Sequence, residues 1–216
     1  MGQRKLNGAT PSSLKKINAV VMGRDSVGKS ALTVRLLTKR FIGEYDSSLE
    51  SIYRHYFELE GDYISLDIMD TAGKNTDEKL SQCASFGNLF LLLFSITESS
   101  SLKEAERLGK FLKTTKTSGE YSVVVVGTKL DLREYREVSK DEGNILANEL
   151  EGTYREISSA DGYEEAQQLF HDSIKAHLQS RFTDRDRQRR GLGLKKLKEG
   201  LLVRTKSLYR RRGMTF

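Results

Sequence analysis

Residues 23–30 read Gly23-Arg24-Asp25-Ser26-Val27-Gly28-Lys29-Ser30, a full G-x-x-x-x-G-K-S match. Phosphate binding needs these residue types at this spacing. The glycines let the backbone curl so that successive N–H groups point at phosphate oxygens. A helix starting at the end of the loop adds its positive N-terminal end. Lys29 is expected to reach the β and γ phosphates, and the Ser30 hydroxyl to ligate Mg²⁺. The expected binding set runs from Gly23 through Arg24, Asp25, Ser26, Val27, Gly28, Lys29 and Ser30 to Ala31. The context fits: residues 17–22 (INAVVM) suggest a buried strand, and residues 30–40 have helical composition.

Further out, residues 53–59 and 63–69 alternate well enough for two strands joined by a Gly61-Asp62 turn. Residues 89–96 and 121–126 are continuous apolar runs, as expected for strands buried on both faces. Between them, residues 99–116 have helical periodicity and a serine cap. Residues 140–151 and 163–180 read as two more amphipathic helices, with a short strand near 153–157 between them. Strands alternating with helices predict an α/β fold with a mostly parallel sheet covered on both faces.

The chain has 216 residues, which suits one domain plus an extension. A single cysteine excludes a disulfide framework or a cysteine zinc cluster and suggests a reducing compartment. The apolar run at 89–94 is far short of the roughly 20 residues that span a bilayer. No signal core is expected at the N-terminus, and Leu6 departs from the myristoylation pattern. The net charge of +6 is unevenly spread: residues 181–216 carry +10 and residues 1–180 carry −4. The expected organisation is a loose N-terminal segment (1–16), one domain (17–180) and a basic tail (181–216).

Two downstream motifs bear on the nucleotide. Asp70-Thr71-Ala72-Gly73 follows a strand, where an acid can hold Mg²⁺ through water and the Gly73 N–H can meet the γ-phosphate. Thr128-Lys129-Leu130-Asp131 follows another. An aspartate there can accept from guanine N1–H and the 2-amino group together, a donor pair that adenine lacks. An ATP-dependent small-molecule kinase fits the phosphate loop alone but not residues 128–131.

With these motifs in place the sequence resembles a Ras-type small GTPase over about residues 17–180. The run LLTKRFIGEYDSSLESIYRH resembles the Ras-related, oestrogen-regulated growth inhibitor branch, which lacks a prenylation site. The resemblance implies a P-loop NTPase fold with a six-stranded sheet, five helices and two switch loops. It implies GTP and GDP as bound nucleotides, Mg²⁺, and hydrolysis of GTP to GDP and phosphate in a signalling switch. It places Phe41 against the base, Tyr45 over the phosphates, and Ser48, where the family usually has Thr, as the second hydroxyl on Mg²⁺. Effectors and regulators are expected through residues 43–53 and 71–86, although Ser51 stands where Ras-type loops often carry an acid. Residues 156–160 (EISSA) resemble the family's fifth motif, whose backbone meets the guanine carbonyl. Alignments one residue apart leave Ser159 and Ala160 both open for that position. Thr128 stands where Ras has Asn.

Two departures bear on catalysis. Lys74 stands where the family usually has a water-orienting Gln. An ammonium has three donors and no acceptor, though it can neutralise phosphate charge. Asp25 stands where the family often has Gly; its charge opposes transition-state stabilisation and its bulk obstructs an arginine finger. Slow hydrolysis is the expectation. The alternatives are an ordinary switch that tolerates both residues, as a mutual salt bridge would allow, and an interaction module with negligible turnover.

Cys83 is expected to be an unremarkable residue of the second switch helix, and His55, His171 and His177 to be packing or surface residues. The tail ends Gly213-Met214-Thr215-Phe216 and holds no cysteine, so no prenylation signal is read there. Leu194, Leu197, Leu201 and Leu208 share a helical face among lysines and arginines. That pattern suits an anionic membrane surface, a calmodulin-like groove, a nuclear import signal or a solvated tail. The expected location is cytoplasmic, with membrane-peripheral and nuclear alternatives, and no specific nucleic-acid partner is expected.

Overall fold

The computed structural model describes residues 14–40, 51–71 and 75–181. The chain divides into two units, Met1–His177 and Leu178–Phe216. In the second, residues 178–181 are helical. No helix among the described residues is long and apolar enough to cross a membrane.

The first unit runs β1 (Lys15–Gly23), α1 (Lys29–Thr38), β2 (Ser51–Leu59), β3 (Asp62–Asp70), α2 (Asp77–Phe86), β4 (Leu89–Ser95), α3 (Ser99–Thr115), β5 (Ser122–Thr128), a 3₁₀ turn (Leu130–Tyr135), α4 (Lys140–Glu149) and β6 (Thr153–Glu156). A last helix, α5, follows from residue 163. The six strands form one sheet in the order β2-β3-β1-β4-β5-β6. Only the β2–β3 pair is antiparallel. This is the predicted α/β architecture.

The parallel strands are apolar on both faces because helices cover both. Every residue of β4 is buried. Val20, Met22, Phe90, Leu92, Phe94, Val123 and Val125 pack with Leu80 of α2, Leu108 and Leu112 of α3 and Leu146 of α4. The alternate residues Ala19, Val21, Leu89, Leu91 and Leu93 are equally buried, so the opposite face is covered too. In α3 the buried Ser101, Ala105, Leu108, Gly109 and Leu112 recur at helical spacing. A capping box closes the start of α4: the Ser139 hydroxyl accepts from the Glu142 N–H, and the Glu142 carboxylate accepts from the Ser139 N–H.

Three details differ from the sequence expectation. β1 begins at Lys15 rather than Ile17, because Lys15 and Lys16 pair in register with Ile64 and Ser65 of β3. The hairpin turn is Glu60-Gly61, one residue earlier than Gly61-Asp62: both have positive φ (52° and 84°), as a tight right-twisting hairpin requires. The residue capping α3 is Glu98, without a side-chain cap bond. The Ser99 N–H is taken instead by the Glu137 carboxylate at 2.9 Å, and Ser101 turns inward to the Ser95 N–H.

Asp67 of β3 is nearly fully buried and takes Arg54 of β2 on both oxygens (2.6 and 3.1 Å), with Lys16 of β1 at 3.0 Å. The Arg54 hydrogen bonds, helped by Lys16, hold its pKa at about 2 against the opposing effect of burial. The native state therefore holds this proton less tightly than the unfolded chain. The resulting stability is present above the usual aspartate pKa and is lost as pH falls from about 4 through about 2. Asp67→Asn is expected to cost about 1 to 2 kcal/mol at neutral pH. In urea unfolding the gap between parent and variant should be full at pH 7 and shrink towards pH 2.

Candidate functional site

Among the described residues, the phosphate loop, Asp70-Thr71, residues 128–131 and residues 158–160 lie at the carboxyl ends of the parallel strands, at β1 and on either side of it. The chain leaves β1 for neighbours on both sides, and such reversals open a crevice at strand ends where ligands bind in open α/β sheets.

Gly23 has a φ of +154°, and a Cβ there would lie 2.4 Å from the Leu93 carbonyl oxygen, so no larger residue fits. Gly28 caps α1 in the left-handed region (φ +96°). No side chain caps α1 and no acid sits in its first turn, so its leading N–H groups are available to an anion. Ser26 also has positive φ (64°), which continues the curl of the loop.

Lys29 is buried at 6% exposure. Its Nζ donates to the carbonyls of Gly23 (3.2 Å) and Arg24 (2.9 Å), which aim the ammonium along the loop. Burial pushes its pKa down, opposed by Asp25 and Asp70. A buried cation of this kind gains from an incoming anion. Asp25 already offers one: its carboxylate lies 3.8 Å from Nζ and is itself exposed.

Asp70, at the end of β3, is 4% exposed, and its Oδ1 has no hydrogen-bond partner among the described residues. Burial pushes its pKa up, while a hydrogen bond from Ser30 and the charge of Lys29 hold it down. An orphaned, buried carboxylate oxygen beside a serine hydroxyl is an all-oxygen donor pair, which suits a hard cation such as Mg²⁺. Thr71 is fixed beneath it by a hydroxyl bond to the Val21 carbonyl (2.8 Å).

On the base side, the Thr128 hydroxyl lies 2.6 Å from the Val27 carbonyl and 2.9 Å from that of Phe94. One short side chain thus couples the end of β5 to the phosphate loop, with no need of an amide. Lys129 adopts a left-handed backbone (φ 62°) that starts the 3₁₀ turn carrying Asp131. Ser158 donates to Asp131 Oδ1 at 2.7 Å and accepts from the N–H groups of Ala160 and Asp161, both at 3.2 Å. Residues 128–131 and 158–160 are therefore brought together.

Phe41, Tyr45, Ser48, Ala72, Gly73 and Lys74, and the whole tail, lie outside the described residues. Asn75, next after Lys74, donates to the Gly23 carbonyl (3.3 Å) and to Glu104 of α3 (2.7 Å). Glu104 in turn takes Arg107 at 2.8 and 2.9 Å, and this pairing holds its pKa down. Arg24 is bound to Glu98 and Ser100 at the start of α3. A cavity of about 640 Å³ lies beside Asp25, with the side chains of Lys103, Glu104 and Arg107 among its lining.

A Ras family model matches residues 18–179. The chain belongs to the Ras family. It is 35% identical over 175 residues to the Ras-related and estrogen-regulated growth inhibitor of Homo sapiens, covering 81% of this chain and 88% of that one. It is 38% identical over 169 residues to Ras-like protein family member 11A of Rattus norvegicus (74% and 70%) and 33% identical over 171 residues to Ras-like protein family member 12 of Mus musculus (78% and 64%). Members of the Ras family are small GTPases: GTP-binding switches that generally use Mg²⁺ and act through effectors and regulators.

Sequence reasoning missed several residues of this Ras-family site. Arg35 of α1 is buried and holds the backbone at residues 159–160. Ser158 holds Asp131. Asn75, Glu104 and Arg107 bracket the segment after Lys74. The one available signal was a charged residue on the apolar side of α1, between Leu32 and Leu36.

Cys83 packs in the core with its Sγ 3.9 Å from Met69 Sδ. His177 is buried, with Nδ1 2.9 Å from the Ser122 hydroxyl.

Proposed function

We propose that this chain binds GTP and GDP with Mg²⁺ and hydrolyses GTP slowly. Lys29 and the loop amides hold the phosphates. Ser30 and Ser48 ligate Mg²⁺, with Asp70 acting through water; the ion neutralises charge on the phosphate oxygens. Gly73 meets the γ-phosphate, Tyr45 covers the phosphates and Phe41 packs on the base. Asp131 reads guanine N1–H and the 2-amino group, supported by Thr128 and Lys129. Ser159 meets the guanine carbonyl in preference to Ala160, because the Ala160 N–H is already bonded to Ser158.

The observation that carries slow turnover is the Asp25 carboxylate 3.8 Å from Lys29 Nζ. It sets a fixed negative charge where negative charge grows in the transition state. Lys74, next to Asn75, adds an ammonium that accepts no hydrogen bond from the attacking water. The same two residues favour a second reading, a nucleotide-bound interaction module with negligible turnover. We place the protein in the cytoplasm, with the +10 tail drawing it to anionic membrane surfaces.

The test is the nucleotide carried by protein purified rapidly from cells. Guanine nucleotide, mostly GTP, is the expected result. Mostly GDP contradicts slow turnover, and adenine nucleotide contradicts the guanine assignment.

A further inference from the structure

Arg35 sits in the last turn of α1, at 9% exposure. Its guanidinium makes two short bonds to backbone. Nε donates to the Ser159 carbonyl at 2.7 Å and Nη2 to the Ala160 carbonyl at 2.8 Å. A third, longer bond runs from Nη1 to the Lys39 carbonyl (3.4 Å) at the end of the same helix. A planar fork with fixed donors suits two neighbouring carbonyls as well as it suits a carboxylate.

The N–H groups of those two peptides belong to Ala160 and Asp161, and the Ser159 N–H lies on the peptide just before them. The Ser158 N–H donates to the Glu165 carboxylate (3.1 Å), and those of Ala160 and Asp161 to the Ser158 hydroxyl (3.2 Å each). Among the amides of residues 158–161, only that of Ser159 is left without such a partner in the described residues. The Ser159 hydroxyl is likewise buried and unpartnered there. Arg35 thus pins the two peptides that follow the Ser159 amide, while that amide itself has no acceptor among the described residues.

We infer that Arg35 is a positioning residue for base recognition: it holds the 159–160 backbone so that the Ser159 N–H meets the 6-oxo group of guanine. It rests on the guanine-nucleotide reading above. The same helix carries Lys29 and Ser30 at its start, about 9 Å from Arg35 along the axis at 1.5 Å per residue. One rigid rod thereby sets the distance between phosphate binding and base reading.

The test is equilibrium binding of three diphosphates to the full chain with Mg²⁺: GDP, 6-thio-GDP and IDP. The 6-thio analogue weakens only the 6-position acceptor, whereas IDP lacks only the 2-amino group read by Asp131. Arg35→Gln is expected to weaken GDP about tenfold, the loss of roughly one good hydrogen bond. It should weaken 6-thio-GDP much less, so that their ratio falls towards one while the GDP to IDP ratio holds. Arg35→Lys, which donates from a single centre, should fall between. It carries the same comparison if the Gln variant does not fold. Equal weakening of all three nucleotides means a merely structural role and overturns the inference, as does unchanged GDP affinity. Failure of the unaltered chain to bind GDP overturns the functional reading itself, a distinct result.

Discussion

Lys29→Ala is expected to lower affinity for Mg·GDP and Mg·GTP by about 10³ or more. A charge-assisted hydrogen bond is worth roughly 1.5 to 3 kcal/mol, and an ammonium between two phosphates makes at least two. Together they amount to some 3 to 6 kcal/mol, or about 10² to 10⁴ in affinity. The upper part of that range is the better expectation here, because Lys29 is buried and two loop carbonyls already aim it. Nucleotide-free stability should move the other way. Burial pushes the Lys29 pKa down, so the folded state bears a cost for keeping this ammonium charged. Removing it should leave the melting temperature unchanged or slightly raised. Titration with a fluorescent GDP analogue, beside a melting curve without nucleotide, separates the two effects. Intact binding, or a collapse of the fold, would contradict the role.

Much of this was legible in the chain, and the reasons are local. β4 and β5 read as strands because apolar runs buried on both faces look the same in sequence and in space. The tight loop between β1 and α1 was legible because glycine at 23 and 28 is a backbone requirement, and Gly23 in particular leaves no room against Leu93. What stayed hidden depends on partners far away in sequence. Arg35 meets residues 124 and 125 positions away. Ser158 meets Asp131 across 27. Neither contact leaves any periodic trace. The 3₁₀ turn Leu130–Tyr135 escaped because none of its residues is buried, so no hydrophobic pattern marks it. A serine cap was expected for α3, but Glu137 supplies the bond to Ser99 from 38 residues on. A salt bridge between Lys74 and Asp25 was one alternative, and Lys74 lies outside the described residues; Asp25 itself lies 3.8 Å from Lys29 Nζ.

Lys74→Gln is the second large expected effect, a gain in the rate of GTP hydrolysis. Groups that take a proton from the reacting water contribute about 10² to 10⁴ in rate when well placed. A glutamine orients water without taking its proton, so a gain of about tenfold to a hundredfold is the reasonable expectation. Asp25→Gly should add to it by removing the carboxylate beside Lys29. Both variants keep Lys29, Ser30 and Asp131, so nucleotide affinity is expected to change far less than rate. The most direct measurement is single-turnover hydrolysis of GTP loaded on the full chain with Mg²⁺. The parent should be slow, Lys74→Gln faster, and Lys74→Gln with Asp25→Gly fastest. A parent rate equal to that of a Gln-bearing relative, unchanged by Lys74→Gln, would contradict the account.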